Sequence, residues 1–168
     1  MKQLIVLSII SITLFSCSSS ADKKEKENLA IAQKYMKAVE TMDVAIMDSL
    51  LADNYIGYGP SVGDSINKEQ AILNWKDNVD NLYESIEYTR HKELAVTVTE
   101  GEAIGDLVLN WALLTIKYKV GSVPVQVWVN VVYRIENGKI VQSRTFYNEA
   151  DVLRQLRYMI TPPQEIEQ

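Results

Sequence analysis

Between Asn28 and Met42 the apolar residues Leu29, Ala32, Tyr35, Met36 and Val39 return every three or four positions, the spacing that gives a helix one buried face. Asp43 can cap a second, shorter helix carrying Val44, Ile46, Met47, Leu50 and Leu51, which ends before Asp53-Asn54. A short strand over 55–58 follows, then an irregular loop punctuated by Gly57, Gly59, Pro60, Gly63 and Asp64. Asn67, with Gln70 three residues later, reads as a capping box and predicts a third helix with Ile72, Trp75, Val79 and Leu82 on one side. Beyond Ser85 the period falls to two. Three long strands are predicted over 86–99, 104–119 and 123–136, with turns at Glu100-Gly101-Glu102 and Gly121-Ser122. The third sets Val125, Val127, Val129, Val131 and Tyr133 on one face and Gln126, Trp128, Asn130 and Arg134 on the other. Asn137-Gly138 is a two-residue hairpin signal into a last strand over 139–147.

Short links between consecutive strands favour antiparallel pairing, and helices gathered in the first half of the chain favour helices packed on one sheet face. The expected class is therefore α+β, with one domain over 28–160 and a tail over 161–168. After the last strand, Asn148 followed by Asp151 has the form of an N-cap with an acid at the third helical position. A short closing helix is predicted from there.

Ahead of the domain, Lys2 and the apolar run from Leu4 to Phe15 make a charged region and a hydrophobic core too short to span a bilayer as a helix. The run ends in Leu14-Phe15-Ser16-Cys17, which resembles the lipobox of bacterial lipoproteins, where the cysteine becomes the lipidated first residue of the mature chain. Phe15 departs from the small or aliphatic residue that motif favours. Cys17 is the only cysteine in the chain and has no internal disulfide partner. The other reading is an ordinary secretory signal with a stray cysteine. Both place the mature domain outside the cytoplasm, and the lipobox places it at the bacterial cell envelope, held to the membrane through lipid on Cys17. Residues 18–27, "SSSADKKEKE", lack an apolar face and are expected to be a flexible tether.

The full chain carries a formal charge of −5, with 17 Lys+Arg against 22 Asp+Glu. Losing Lys2 with the signal leaves 16 against 22, or −6. No basic stripe offsets this, which argues against nucleic acid as a partner.

The order helix, helix, strand, helix and four strands resembles the nuclear transport factor 2 superfamily, in its SnoaL-like and ketosteroid-isomerase-like branch. Two signatures carry the likeness: "YRIENGKIVQSRTFYN" running into "RQL", and "LLADNYIGYGP" with "NKEQAI" after it. The resemblance implies a cone: a strongly curved antiparallel sheet wrapped around three helices, with a short C-terminal helix and a pocket for a small apolar molecule. It implies that Tyr58, Trp75, Arg144 and Asn148 lie nearest the ligand. Catalytic members commonly supply a carboxylate near the last strand end, where this chain has Asn148. An amide cannot act as a general base.

Other candidates each have a plain alternative. His91, the sole histidine, lies between Arg90 and Lys92 without a neighbouring nucleophile, and reads as an exposed strand residue or a base. Asp64 can look into a pocket mouth or bond its own loop backbone. Asp106 and Asn110 share a strand face and can meet a ligand or solvent. Neither a zinc nor an EF-hand spacing is present, and no cofactor is expected. Trp75 and Trp111 read as core, whereas Trp128 shares a mixed face with Gln126, Asn130 and Arg134 that suits a homodimer interface. Three functions follow: a lipid-anchored, non-catalytic binding domain; a proton-transfer enzyme with Asp64, Asp106 or His91 as base and Tyr58 as oxyanion donor; and an envelope module binding a protein partner.

Overall fold

The computed structural model describes residues 16–121, 123–159 and 161; the predicted signal up to Phe15 and residues 162–168 lie outside them. The first helix, α1, runs over Ser16–Glu40 and so begins twelve residues before the apolar pattern does. The segment expected to be a flexible tether is helical. It has no glycine or proline, its charges pair along the helix (Lys23 Nζ to Glu27 at 3.8 Å), and Lys24 Nζ reaches Asp106 at 2.7 Å. Among the described residues no helix is long and apolar enough to cross a membrane.

α2 (Val44–Leu50) starts at Asp43, whose carboxylate accepts the Ile46 N–H at 2.9 Å. β1 (Leu51–Tyr58) follows without a loop, buries Leu51 and Tyr55, and is interrupted between Leu51 and Ile56. That irregularity at Asp53-Asn54 hides the first half of the strand from a period-two reading. β2 (Ser65–Asn67) is a three-residue edge strand inside the loop, too short to leave a pattern. α3 (Lys68–Asp77) opens on the capping box: Asn67 accepts the Gln70 N–H at 2.9 Å and Gln70 accepts the Asn67 N–H at 3.0 Å. A π-helical turn over Asn78–Leu82 continues it. The Lys119 ammonium donates to the Val79 and Asp80 carbonyls at 2.8 and 2.6 Å, satisfying acceptors the turn leaves free.

β3 (Tyr83–Val98), β4 (Gly105–Tyr118), β5 (Val125–Glu136) and β6 (Lys139–Tyr147) then form a meander, and α4 (Glu149–Gln155) closes the chain. The β5–β6 turn is a match of residue to backbone: Asn137 and Gly138 have φ of 50° and 75°, both left-handed, as a two-residue hairpin of this twist requires. The six strands lie in the order β2-β1-β6-β5-β4-β3. Every neighbouring pair is antiparallel except β1–β6, which is parallel, so the sheet is mixed and not wholly antiparallel.

The concave face carries the core. Val108, Ala112 and Leu114 of β4 and the odd-numbered residues Val125 to Ile135 of β5 pack against Ala32, Tyr35, Met36 and Val39 of α1 and Met47 of α2. Asn110 belongs to this inner face, not to solvent: it is 0% exposed, and neither polar atom of its amide has a partner. Trp111 is on the outer face and 40% exposed, which overturns its expected place in the core. Strand alternation decides both, since Ala112 and Val108 fix which parity points inward.

Because α3 carries one wall of the site described next, its cap is testable. Asn67→Ala should lower unfolding free energy by about 1 kcal/mol, read as a lower urea midpoint with an unchanged slope.

Candidate functional site

α1 ends at Glu40, whose carboxylate accepts the Tyr88 backbone N–H at 2.9 Å. Past that point the concave face continues without a helix along it, and an open cavity of about 790 Å³ lies between β1, α3, the β3–β6 strands and α4. Its wall takes in eight of the nine tyrosines, all but Tyr158, together with Trp75. Each strand contributes through its inward parity: Val127, Val129, Val131 and Tyr133 from β5, and Ser143, Thr145 and Tyr147 from β6.

The rings touch one another. Tyr35 meets Tyr133 edge-on with centroids 5.9 Å apart, and Trp75, Tyr83 and Tyr118 form a tilted row at 6.3 and 5.5 Å. Tyr55 and Ser143 hydroxyls lie 2.7 Å apart. Gly57 makes that approach possible: a Cβ there would sit 2.6 Å from the Tyr55 hydroxyl. Burial is the main reason the phenols of Tyr35, Tyr88 and Tyr133 are held far above the ordinary value of 10.0, and it pushes Tyr83 up to about 12. These hydroxyls are neutral donors and acceptors, not bases.

The cavity has an acidic mouth. Asp64 and Glu149 are the carboxylates in its lining, and both are exposed. Burial, then Glu149 and then Asp64, raise the Tyr147 phenol, which puts the three groups in one neighbourhood. Among the described residues that line the cavity there is no lysine, arginine or histidine. Among the described residues no three His, Cys, Asp or Glu side chains converge as a metal site would require.

Tyr58, Trp75 and Asp64 line the cavity; the other candidates do not. Arg144 points to the outer side of β6, between the inward Ser143 and Thr145, and its guanidinium carbon lies 4.3 Å from the Tyr58 ring centroid. Asn148 is spent as the α4 N-cap, accepting the Asp151 N–H at 3.1 Å, and borders the outer face instead. Asp106 is tied to Lys24 and accepts the Thr97 hydroxyl at 2.7 Å, under the first turns of α1. His91 sits exposed on a β3 bulge, 2.8 Å from the Tyr88 carbonyl, with its ring stacked on Tyr88.

Sequence reading missed Glu149 and most of the tyrosines. The available signal was their inward parity, which sets Tyr83, Tyr118, Tyr133 and Tyr147 on one face of the sheet. Also missed was the fastening of α4, which roofs the cavity with Val152, Leu153 and Leu156. Gln155 accepts the Gln126 backbone N–H at 2.9 Å and donates to the Gln126 carbonyl at 2.8 Å, pairing with β5 as a strand would.

A family model described as the SnoaL-like domain matches residues 32–143, about two thirds of the chain. The chain belongs to the SnoaL-like domain family. No curated protein matches it in sequence. Three solved structures share the SnoaL-like fold at low identity. An epoxide hydrolase of M. tuberculosis described as LEH-like has 18% identity and a TM-score of 0.61, covering 79% of this chain and 90% of its own. A protein of Catenulispora acidiphila with a ketosteroid isomerase-like fold, solved with trimethylamine, has 18% identity and a TM-score of 0.61, covering 79% and 97%. IdmH of Streptomyces antibioticus, a proposed polyketide cyclase, has 17% identity and a TM-score of 0.60, covering 77% and 97%. At these identities the likeness shows the fold and leaves the chemistry to the SnoaL-like cavity itself.

The neutral phenols set an alkaline limit. As pH rises through 10, the unfolded chain releases tyrosine protons that the folded chain keeps, so stability is full below 10 and falls above it. Absorbance titration at 295 nm should show a majority of the tyrosines ionising late, and the urea midpoint should drop between pH 9 and 11. Ordinary titration of all the tyrosines while the chain stays folded would contradict the buried wall.

Proposed function

We propose that this SnoaL-like domain is a non-catalytic receptor for a small, mostly apolar molecule, carried at the cell envelope by lipid on Cys17. The observation that carries the reading is the wall itself: aliphatic and aromatic side chains with neutral hydroxyls and amides, and among the described residues of the lining carboxylates only at the mouth. Burying apolar surface against such a wall contributes about 25 cal/mol per Å², whereas the described residues at depth include no Asp, Glu, His or Lys to move a proton. The anchor is compatible with access. α1 runs antiparallel to β3, with Lys24 at the Asp106 end and Glu40 at the Tyr88 end, so a lipid at the start of the helix would lie toward the Asp106 end of the sheet.

Binding can be measured with the neutral fluorophore N-phenyl-1-naphthylamine and the full chain. Saturable one-site enhancement is expected, weakened at least about tenfold by Thr145→Trp, which places an indole in the cavity. Absence of saturable binding, or binding indifferent to Thr145→Trp, would sink the receptor reading.

A second reading, a proton-transfer enzyme with Asp64 as base and Tyr58 as oxyanion donor, has one observation in its favour: both residues line the cavity. Against it, Asp64 is exposed and bonds no tyrosine hydroxyl among the described residues. General-base work needs the carboxylate held within hydrogen-bond reach of a substrate proton.

The outer face suits a second copy of the chain. Trp111, Trp128 and Phe146 stand together there, 40, 57 and 45% exposed, around Asn130. A two-fold axis through such a patch would bury these rings against the same rings of the second copy. Sedimentation equilibrium of the full chain in detergent at tens of micromolar is expected to give a dimer, and Trp128→Glu a monomer; a wild-type monomer rejects this interface.

A further inference from the structure

We infer that the molecule the cavity takes is an organic cation, an alkylated ammonium group on an apolar or aromatic body; this deepens the receptor reading and rests on it. Three observations converge. Aromatic faces carry a negative quadrupole and hold ammonium groups best where water is excluded, and eight tyrosines and Trp75 stand in this wall among aliphatic side chains. The lining offers an anion nothing: no lysine, arginine or histidine among its described residues, and two carboxylates, Asp64 and Glu149, at the entrance. The formal charge of −5 for the whole chain adds a field that draws cations in and repels anions. A neutral apolar ligand would use the rings and leave the carboxylates without a role.

The geometry also orders the ligand. The cation belongs beside Tyr147, whose neighbours are Glu149 and Asp64. Tyr147 pairs with Val129 of β5, and Tyr133 lies four residues further along that strand, roughly 13 Å deeper at about 3.3 Å per residue. Tyr133 is 3% exposed and lines the cavity. It marks the far end of the space, and the apolar body of the ligand spans the side chains between.

Titration calorimetry of the full chain separates the possibilities with three probes of similar size. These are the benzyltrimethylammonium cation, its neutral carbon isostere neopentylbenzene, and the anion 3-phenylpropanoate. The cation should bind about tenfold more tightly than the neutral isostere, and the anion more weakly than either. The double change Asp64→Asn with Glu149→Gln should weaken the cation about threefold to tenfold and leave neopentylbenzene unchanged, which also shows that the variant keeps its fold. Equal or tighter binding of neopentylbenzene overturns the cation assignment while the apolar receptor stands. Binding of the anion as tight as that of the cation overturns it as well. Failure of all three, with N-phenyl-1-naphthylamine also failing, removes the receptor reading and this inference together.

Discussion

α1 is fastened to the sheet at three heights, by Lys24 to Asp106 of β4, by Gln33 to Glu93 of β3 at 2.6 Å, and by Glu40 to the Tyr88 amide of β3, and it stops where the last of these is made. β3, β4 and β5 run on beyond that point. The part of the concave face under the helix is filled by small and branched side chains, with Ala32 packed among Val108, Ala112 and Ile135. Beyond Glu40 the curvature is left to α3 and α4 at its margins, and Tyr83 and Tyr118 join the branched residues at the inward positions. Large rings on a concave face keep part of the space closed and part open, so the cavity follows from the mismatch in length between one helix and three strands.

Everything that completes the site braces that mismatch. Gly57 gives up its side chain so that Tyr55 can reach Ser143 across the parallel β1–β6 pair. Lys119 holds the π-helical turn that brings Tyr83 into line with Trp75. Gln155 pairs with the Gln126 backbone and fixes α4 as a roof, while Asn148 sets where that roof begins. None of these side chains meets a ligand by necessity, yet each sets the position of one that lines the space.

The element order was legible from period and caps: Asp43, Asn67 and Asn148 each begin the helix that their type favours at an N-cap, and Asn137-Gly138 turns where expected. What was not legible has a common cause. A period-two pattern identifies two faces without saying which is inside, so Arg144 and Asn110 were free to be placed on either. The structure sends Arg144 out and Asn110 in. The parallel β1–β6 pair was hidden because pairing between distant strands leaves no mark in local spacing. The helical start of α1 was hidden because a charged stretch without an apolar face satisfies both a tether and a solvated helix, and only the Lys24–Asp106 contact, 82 residues away in sequence, separates them.

Asn148 illustrates how far a family likeness reaches. The likeness located the strand end correctly, and the residue there is occupied in capping, so the cavity must draw its charge from elsewhere. It draws it from Asp64 in the β1–β2 loop and Glu149 at the first position of α4, both at the mouth and both hydrated. A carboxylate in that position lies in solvent, whereas one at the cavity floor would be cut off from the water that supports its charge. The acid of this cavity therefore stands at the rim and not at the floor, and below it the described lining is uncharged.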